Sequence, residues 1–138
     1  MIDILYKELS YKIIGLAMQV HNELGSGFLE KVYENALMVL FERENIKAEQ
    51  QKYLELNYYE KNIGNYIADI LVEDNVILEL KVVDKISDIH VAQVINYLKI
   101  TKKQLGIILN FKNGKLEYKR VVLEAHIRRN LDEVLNRE

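Results

Sequence analysis

The chain has 138 residues, with no cysteine and no proline, and its 19 basic and 21 acidic side chains give a formal net charge of −2. This length suits a single domain over residues 1–138, and the lack of cysteine excludes disulfides, thiolate-bound zinc and thiol catalysis. No apolar run is long enough to cross a bilayer, and charged residues interrupt the N-terminus where a signal peptide needs an apolar core. We therefore expect a soluble, cytoplasmic protein.

The spacing of apolar residues predicts the element order ααβββαββα. Helical segments show apolar residues three and four positions apart, whereas strands alternate or form short apolar runs. The predicted helices cover residues 4–24, 28–44, 89–100 and the segment after 123, and the predicted strands cover 48–59, 65–72, 76–83, 105–110 and 116–123. With no linker or internal repeat, this mixture predicts one α/β domain.

Small and polar residues predict where several elements begin and end. The Gly-Ser-Gly sequence at 25–27 ends the first helical region, and Ser87 or Asp88 can cap the helix that follows. Residues 61–64 predict a turn between the first two strands. Asn-Gly within residues 112–115 predicts a type I′ hairpin turn.

Three charged residues interrupt two otherwise apolar strands in the middle of the chain. Asp69 lies in the second predicted strand, and Glu79 and Lys81 lie in the third. Strand pleating places Glu79 and Lys81 on the same face. A three-residue loop at 73–75 would bring Asp69 to that face, whereas a two-residue loop would turn it to the other. Since no Asp-Gly or Asn-Gly occurs there, we expect the longer loop or a bulge.

Two carboxylates and a lysine on one face suit metal-assisted chemistry at a phosphate. Carboxylate oxygens bind Mg²⁺ or Mn²⁺, and a lysine can orient or deprotonate the attacking water or stabilise the pentacovalent phosphate. The alternative is a ladder of cross-strand ion pairs on a solvated sheet face. The spacing alone leaves both interpretations open, because the D…ExK pattern is short and degenerate.

Several spaced motifs together resemble the GxxExxY family, which is grouped with the PD-(D/E)XK nuclease superfamily. The motifs are GFLEKVY at 27–33, Asp69, ELK at 79–81, QVINYL at 93–98 and GIILNF at 106–111. The resemblance runs from about Ile13 to Val122 and implies a restriction-endonuclease-like core, a mixed sheet of about five strands flanked by helices. One departure from the pattern is Ala68, where the superfamily name has proline.

The resemblance also implies roles for the three central charges and for one residue on the preceding helix. Asp69 and Glu79 match the metal-binding acids, and Lys81 matches the catalytic lysine. Glu30 matches a supplementary acid of the metal site. Without the resemblance, the preferred explanation of Glu30 is its favourable position at the positive N-terminal end of a helix.

A Gln-xxx-Tyr element on the helix after the third strand completes the implied site. Gln93 and Tyr97 match this element, which helps to position the substrate or the site, although two residues four apart on a helix also pack together for structural reasons. We interpret Tyr33 as a core residue. His21 and His90 are single histidines on amphipathic helices, more typical of surface or interface positions than of ligands.

The implied function is a nuclease that uses Mg²⁺ or Mn²⁺ to hydrolyse nucleic acid, most simply DNA. Seven basic residues between Lys99 and Arg120, against one acid, give this segment a charge of +6 and leave −8 for the rest of the chain. Such a basic edge suits phosphate-backbone contacts. The alternative is a catalytically silent nuclease-fold module that binds nucleic acid or a protein partner. A homodimer is a further expectation, because nucleases of this type often pair to cut two strands.

Overall fold

The computed structural model describes residues 6–123, which form three helices and five strands. The helices are α1 (Lys7–Leu24), α2 (Glu30–Arg43) and α3 (Asp88–Thr101), and the strands are β1 (Ala48–Tyr58), β2 (Lys61–Val72), β3 (Val76–Lys81), β4 (Leu105–Asn110) and β5 (Glu117–Val122). Their order and type match the sequence prediction. The predicted C-terminal helix lies outside the described residues. Among the helices that are described, none is long and apolar enough to span a membrane.

The five strands form one mixed sheet in the order β1-β2-β3-β4-β5. β3 and β4 pair in parallel across the α3 crossover, and the other neighbours are antiparallel. β4 is buried along its whole length and β3 along all but its last residue, because both faces of the central strands are covered. The predicted α/β fold with a mixed sheet of about five strands and flanking helices is confirmed.

Two apolar layers cover the two faces of the sheet. The larger layer joins α1 and α2 to one face, and it includes Leu78 and Leu80 of β3. The smaller layer joins α3 to the other face, and it includes Ile77. Because successive strand side chains alternate between faces, Glu79 lies on the same face as Ile77, beneath α3.

The turn between β1 and β2 lies at Tyr59 and Glu60, so the prediction of a turn at residues 61–64 is wrong. These two residues adopt left-handed backbone conformations, with φ of 45° and 62°. Residues 61–64 belong to β2. The β1–β2 register shifts there and leaves Ile63 without a partner on β1, so the small residues of this segment flank a bulge.

The connection between β4 and β5 is a longer loop, residues 111–116, and the predicted type I′ turn is wrong. Neither Asn113 nor Gly114 has the positive φ that such a turn requires. Phe111 is fully buried, and its N–H donates to the carbonyl of Lys81 at 3.0 Å. The first loop residue is thus held in the core, which lengthens the connection.

The predicted helix boundaries agree with the structure. α1 ends at Gly25, which has a φ of 74°. α3 begins after Ser87, which forms a reciprocal capping box with His90, whose Nδ1 accepts the Ser87 N–H at 3.0 Å. Of the two predicted caps, Ser87 is therefore the one used.

Candidate active site

The hairpin between β2 and β3 brings Asp69 to the face that carries Glu79. Val72 pairs with Val76 across a three-residue loop, and the antiparallel register continues towards the far end of the hairpin. Asp69 directly precedes the last pair, Ile70–Leu78, and its carboxylate lies close enough to Glu79 to raise the pKa of that acid. The prediction of an odd-length loop at residues 73–75 is confirmed.

The Asp69 carboxylate takes part in the main-chain bonding of the hairpin. Its Oδ2 accepts the N–H of Leu80 at 2.8 Å. Burial raises the pKa of Asp69, the Leu80 N–H opposes this rise, and the negative charges of Glu34 and Glu30 add to it. The charge of Lys81 lowers the pKa of Asp69 and so partly opposes the two glutamates. The carboxylate is therefore fixed in direction and lies near charges of both signs.

Glu79 is a buried acid with incomplete hydrogen bonding. It is 5% exposed, and its buried Oε1 has no hydrogen-bond partner among the described residues. Its Oε2 lies 3.6 Å from Nζ of Lys81. Burial, followed by the charge of Asp69, raises the pKa of Glu79 to about 8. A buried carboxylate with one unsatisfied oxygen favours either protonation or a bound cation.

Lys81 begins a chain of hydrogen bonds that leads to α3. Its Nζ donates to Oε1 of Gln93 at 3.1 Å, and Nε2 of Gln93 donates to the hydroxyl of Tyr97 at 3.0 Å. Burial, then the charges of Glu79 and Asp69, raise the pKa of Tyr97 to about 12, so its hydroxyl stays protonated at neutral pH. The helical spacing of Gln93 and Tyr97 thus serves a polar contact with the lysine.

Glu30 has no hydrogen bond or ion pair with these side chains within residues 6–123, although its charge acts on Asp69. It is the first residue of α2 and is exposed. Tyr33, one turn further, is fully buried, stacks on Phe111 with ring centroids 4.5 Å apart, and donates its hydroxyl proton to the carbonyl of Gly25 at 2.7 Å. Tyr33 is a core residue, as predicted, and it anchors the glycine loop before α2.

Glu34 is a buried acid of α2 that was not among the predicted site residues. Glu34 is 3% exposed and accepts hydrogen bonds from Lys31, Gln50 and Gln51. A signal did exist, because Glu34 follows Glu30 by four residues and so shares its helix face. It also directly follows the core residue Tyr33.

The structure thus brings together Asp69, Glu79 and the Lys81–Gln93–Tyr97 chain, whose catalytic roles remain predictions. Within residues 6–123, no three His, Cys, Asp or Glu side chains meet as a metal-ligand group. The two carboxylates nevertheless fit a hard divalent cation. Mg²⁺ commonly takes only one or two protein carboxylates and completes its shell with water and phosphate oxygens, and the lone Glu79 oxygen is a suitable ligand.

The two histidines of the described chain have structural contacts. His21 is 5% exposed, and its Nε2 is 2.7 Å from the carbonyl oxygen of Asn113 in the β4–β5 loop. His90 caps α3 through Ser87. These contacts explain both residues without a ligand, although His21 is buried, not at the surface.

The basic residues of the 99–120 segment are dispersed over several elements. Three of them contact other parts of the chain, in the pairs Lys103–Asp74 at 3.5 Å, Lys112–Asp84, and Arg120–Ser10 at 3.3 Å. Lys115 and Lys119 are exposed at the β5 edge of the sheet. Part of the positive charge expected at this edge is therefore neutralised locally.

Comparison with known proteins gives one family match and several similar solved structures. A family model described as the PD-(D/E)XK nuclease superfamily matches residues 7–121. Among solved structures, the chain is similar to SSO0001, with 21% identity over 75% of this chain and a TM-score of 0.55. It is also similar to an alkaline exonuclease (LHK-Exo) from Laribacter hongkongensis, with 10% identity over 87% of this chain and 73% of the exonuclease, and a TM-score of 0.53. No curated protein sequence matches significantly.

At these identities the structural likeness shows a shared fold, and this chain spans 55% of the length of SSO0001. The family match extends over most of the chain and includes β1 to β4 and all but the last residue of β5. The restriction-endonuclease-like fold predicted from the sequence is confirmed. The chain therefore belongs to the PD-(D/E)XK nuclease superfamily.

Proposed function

We propose that this protein is a metal-dependent nuclease that hydrolyses the phosphodiester bonds of DNA. One observation carries the proposal: the carboxylates of Asp69 and Glu79 lie close together beside Lys81, and one buried Glu79 oxygen has no partner among the described residues. An ion-pair ladder on a solvated face would leave its charges exposed and satisfied. Glu79, which is 5% exposed and has a pKa raised to about 8, does not fit that description.

In this proposal Asp69 and Glu79 hold a divalent cation, Mg²⁺ or Mn²⁺, and Glu30 assists from α2. When bound, the cation supplies positive charge to the phosphate and increases the acidity of water. Asp69 is directed by the Leu80 N–H at 2.8 Å. The exposed Glu30 also contributes negative charge to this region, since it raises the pKa of Asp69.

Lys81 is the proposed group that orients the attacking water and offsets charge that develops on the phosphate. Its ammonium has three protons, of which one is donated to Gln93. The remaining protons are available to Glu79, 3.6 Å away, and to a substrate oxygen. Tyr97 fixes the direction of the Gln93 amide, so both residues hold the lysine in place.

We also propose that the chain belongs to the GxxExxY family within the superfamily. The support comes from residues 27–33, where Gly27 has a φ of 110° that favours glycine and the Tyr33 hydroxyl accepts the N–H of Phe28 at 3.2 Å.

We further propose that residues 1–138 form one domain. This domain would bind DNA through phosphate contacts of exposed lysines and act as a homodimer.

A silent module that binds nucleic acid or a protein partner is the second candidate. The observation in its favour is that only two acidic side chains meet at the site, because no larger metal-ligand group occurs within residues 6–123. Fold alone does not decide between cleavage and binding.

The test is cleavage of plasmid and single-stranded DNA with Mg²⁺ or Mn²⁺, compared with the same reactions in EDTA. Asp69→Asn is the informative variant, because the asparagine oxygen can still accept the Leu80 N–H while the charge is lost. We expect metal-dependent cleavage by the unaltered protein, none by Asp69→Asn, and cleavage that is about 10²- to 10³-fold slower by Lys81→Ala. Equal cleavage by all three proteins would indicate a contaminant, and binding of DNA without any cleavage would favour the module.

A further inference from the structure

Glu34 is a buried carboxylate that the proposed chemistry does not use. It is 3% exposed and lies one helical turn after Glu30. Its oxygens accept hydrogen bonds from Nζ of Lys31 at 3.1 Å, from Nε2 of Gln51 at 3.0 and 3.1 Å, and from Nε2 of Gln50. This charge is therefore well satisfied, mainly by two consecutive residues of β1.

The contact with both glutamines needs an irregular backbone. Consecutive strand residues normally point to opposite faces of a sheet, so Gln50 and Gln51 should not reach the same carboxylate. Gln51, however, has a φ of 54°, a left-handed conformation that is unfavourable for a residue with a side chain. The hydrogen bonds from both glutamines to Glu34 occur together with this local departure from strand geometry.

The irregularity lies opposite the proposed catalytic aspartate. β1 and β2 pair on both sides of the position, at Gln50 with Ile70 and at Lys52 with Ala68, but the pair between Gln51 and Asp69 is missing. Asp69 instead directs its carboxylate to the neighbouring strand β3, where it accepts the Leu80 N–H. The negative charge of Glu34 also acts on Asp69, since it adds to the increase in the pKa of Asp69 that burial causes.

We propose that Glu34, Gln50 and Gln51 form a positioning cluster for Asp69. The cluster holds β1 out of regular pairing at this point and thereby keeps the Asp69 carboxylate on the Leu80 N–H. Its consequence for metal binding rests on the proposed function, but its effect on the Leu80 hydrogen bond does not. Partners that orient a metal ligand typically change metal affinity or activity by about 10- to 100-fold when they are removed.

Gln51→Gly separates positioning from general stability. Glycine adopts the left-handed conformation without steric cost. The substitution therefore relieves the backbone strain at residue 51 and removes the side-chain amide that contacts Glu34. The matched control is Asn45→Gly, because Asn45 also has a left-handed φ, 57°, but lies in the connection after α2 and outside the cluster. Glu34→Gln is a second variant that removes the central charge with little change of shape.

The measurement is hydrogen exchange of the Leu80 amide in EDTA, with thermal unfolding of each protein recorded in parallel. For Gln51→Gly and Glu34→Gln we expect Leu80 to exchange about tenfold faster, as for a lost hydrogen bond to a charged group. The Leu78 amide of the same strand and the Asn45→Gly protein should show no such change. Unchanged Leu80 exchange in Gln51→Gly, or equal acceleration in Asn45→Gly, would overturn the proposal.

Calorimetry with Mn²⁺ tests the proposed function separately. We expect Gln51→Gly to bind Mn²⁺ about 10- to 100-fold more weakly than the unaltered protein, with an unfolding midpoint that is not lowered in EDTA. If the unaltered protein binds no Mn²⁺, the proposed function fails. Faster Leu80 exchange in Gln51→Gly would still support the positioning cluster in that case.

Discussion

Replacing Glu79 with glutamine should stabilise the metal-free protein while it removes a proposed metal ligand. The glutamate is buried beside Asp69, and its pKa rises from 4.5 to about 8. Each pH unit of such a shift corresponds to about 1.4 kcal/mol, so the cost of ionising Glu79 in the folded protein reaches about 5 kcal/mol at high pH. Glutamine has nearly the same shape and does not ionise.

The sign of the pH dependence follows from proton binding. Between pH 4.5 and 8 the folded protein keeps the Glu79 proton whereas the unfolded chain releases it, so stability falls as the pH rises through this window. Below the window the carboxyl is protonated in both states and the cost disappears. The advantage of Glu79→Gln should therefore be small near pH 5 and grow towards pH 9, with a ceiling of about 5 kcal/mol.

Urea unfolding in EDTA at several pH values measures this difference. Glu55→Gln is the matched control, because Glu55 is an exposed glutamate of the same sheet, on β1, and it should follow the unaltered protein at every pH. Mn²⁺ at 100 times its Kd should stabilise the unaltered protein by about 2.7 kcal/mol and leave Glu79→Gln unaffected. The order of stability should therefore reverse near pH 5, where the advantage of Glu79→Gln is small, and the difference should only narrow towards pH 9. Parallel pH curves for Glu79→Gln and the unaltered protein would refute this reasoning.

Three further substitutions test other parts of the account. Lys81→Ala should lower the DNA cleavage rate by about 10²- to 10³-fold, the usual effect of removing a group that stabilises transition-state charge; a rate equal to that of the unaltered protein would contradict the role of Lys81. Tyr97→Phe should reduce the cleavage rate by about tenfold, because the contact with Gln93 is lost. In urea titrations it should change the free energy of unfolding by only about 1 kcal/mol. An unreduced cleavage rate would mean that Tyr97 only packs against its neighbours. Gly106→Ala should destabilise the fold by about 1–3 kcal/mol, because an added Cβ overlaps Cγ1 of Val94. Val94→Ala should recover part of that loss in a double-mutant cycle, and strictly additive effects would contradict the overlap.

The sequence predicted the elements well where one periodicity dominated. The β2–β3 hairpin is an example, because apolar strands on both sides and the absence of a tight-turn dipeptide at 73–75 leave few alternatives. That hairpin alone brings Asp69 beside Glu79. The central geometry of the candidate site was therefore predictable from local sequence.

The turn predictions were wrong where tertiary contacts outweighed the conformational preferences of the local residues. Asn113-Gly114 favours a tight turn, but burial of Phe111 and its hydrogen bond to Lys81 extend the loop. At the other hairpin, Tyr59 and Glu60 form the turn with left-handed conformations that neither residue type favours. Composition alone could not have located that turn.

The acids of α2 show why the outer part of the site was harder to predict. Glu30 matches a family motif but is exposed, whereas Glu34 is buried by contacts with two residues of β1. Those contacts occur beside a left-handed conformation at Gln51, which no pattern in the sequence indicates. Side chains that meet across elements through an irregular backbone cannot be found from periodicity.

The most direct test of the central claim is calorimetric titration of the unaltered protein and Asp69→Asn with Mn²⁺. We expect a single binding site in the unaltered protein and its loss in Asp69→Asn, with the fold preserved because the Leu80 N–H keeps an acceptor. Hydrogen exchange of Leu80 verifies that the variant is intact. Absence of Mn²⁺ binding by the unaltered protein, or equal binding by both proteins, would contradict a metal site at Asp69 and Glu79.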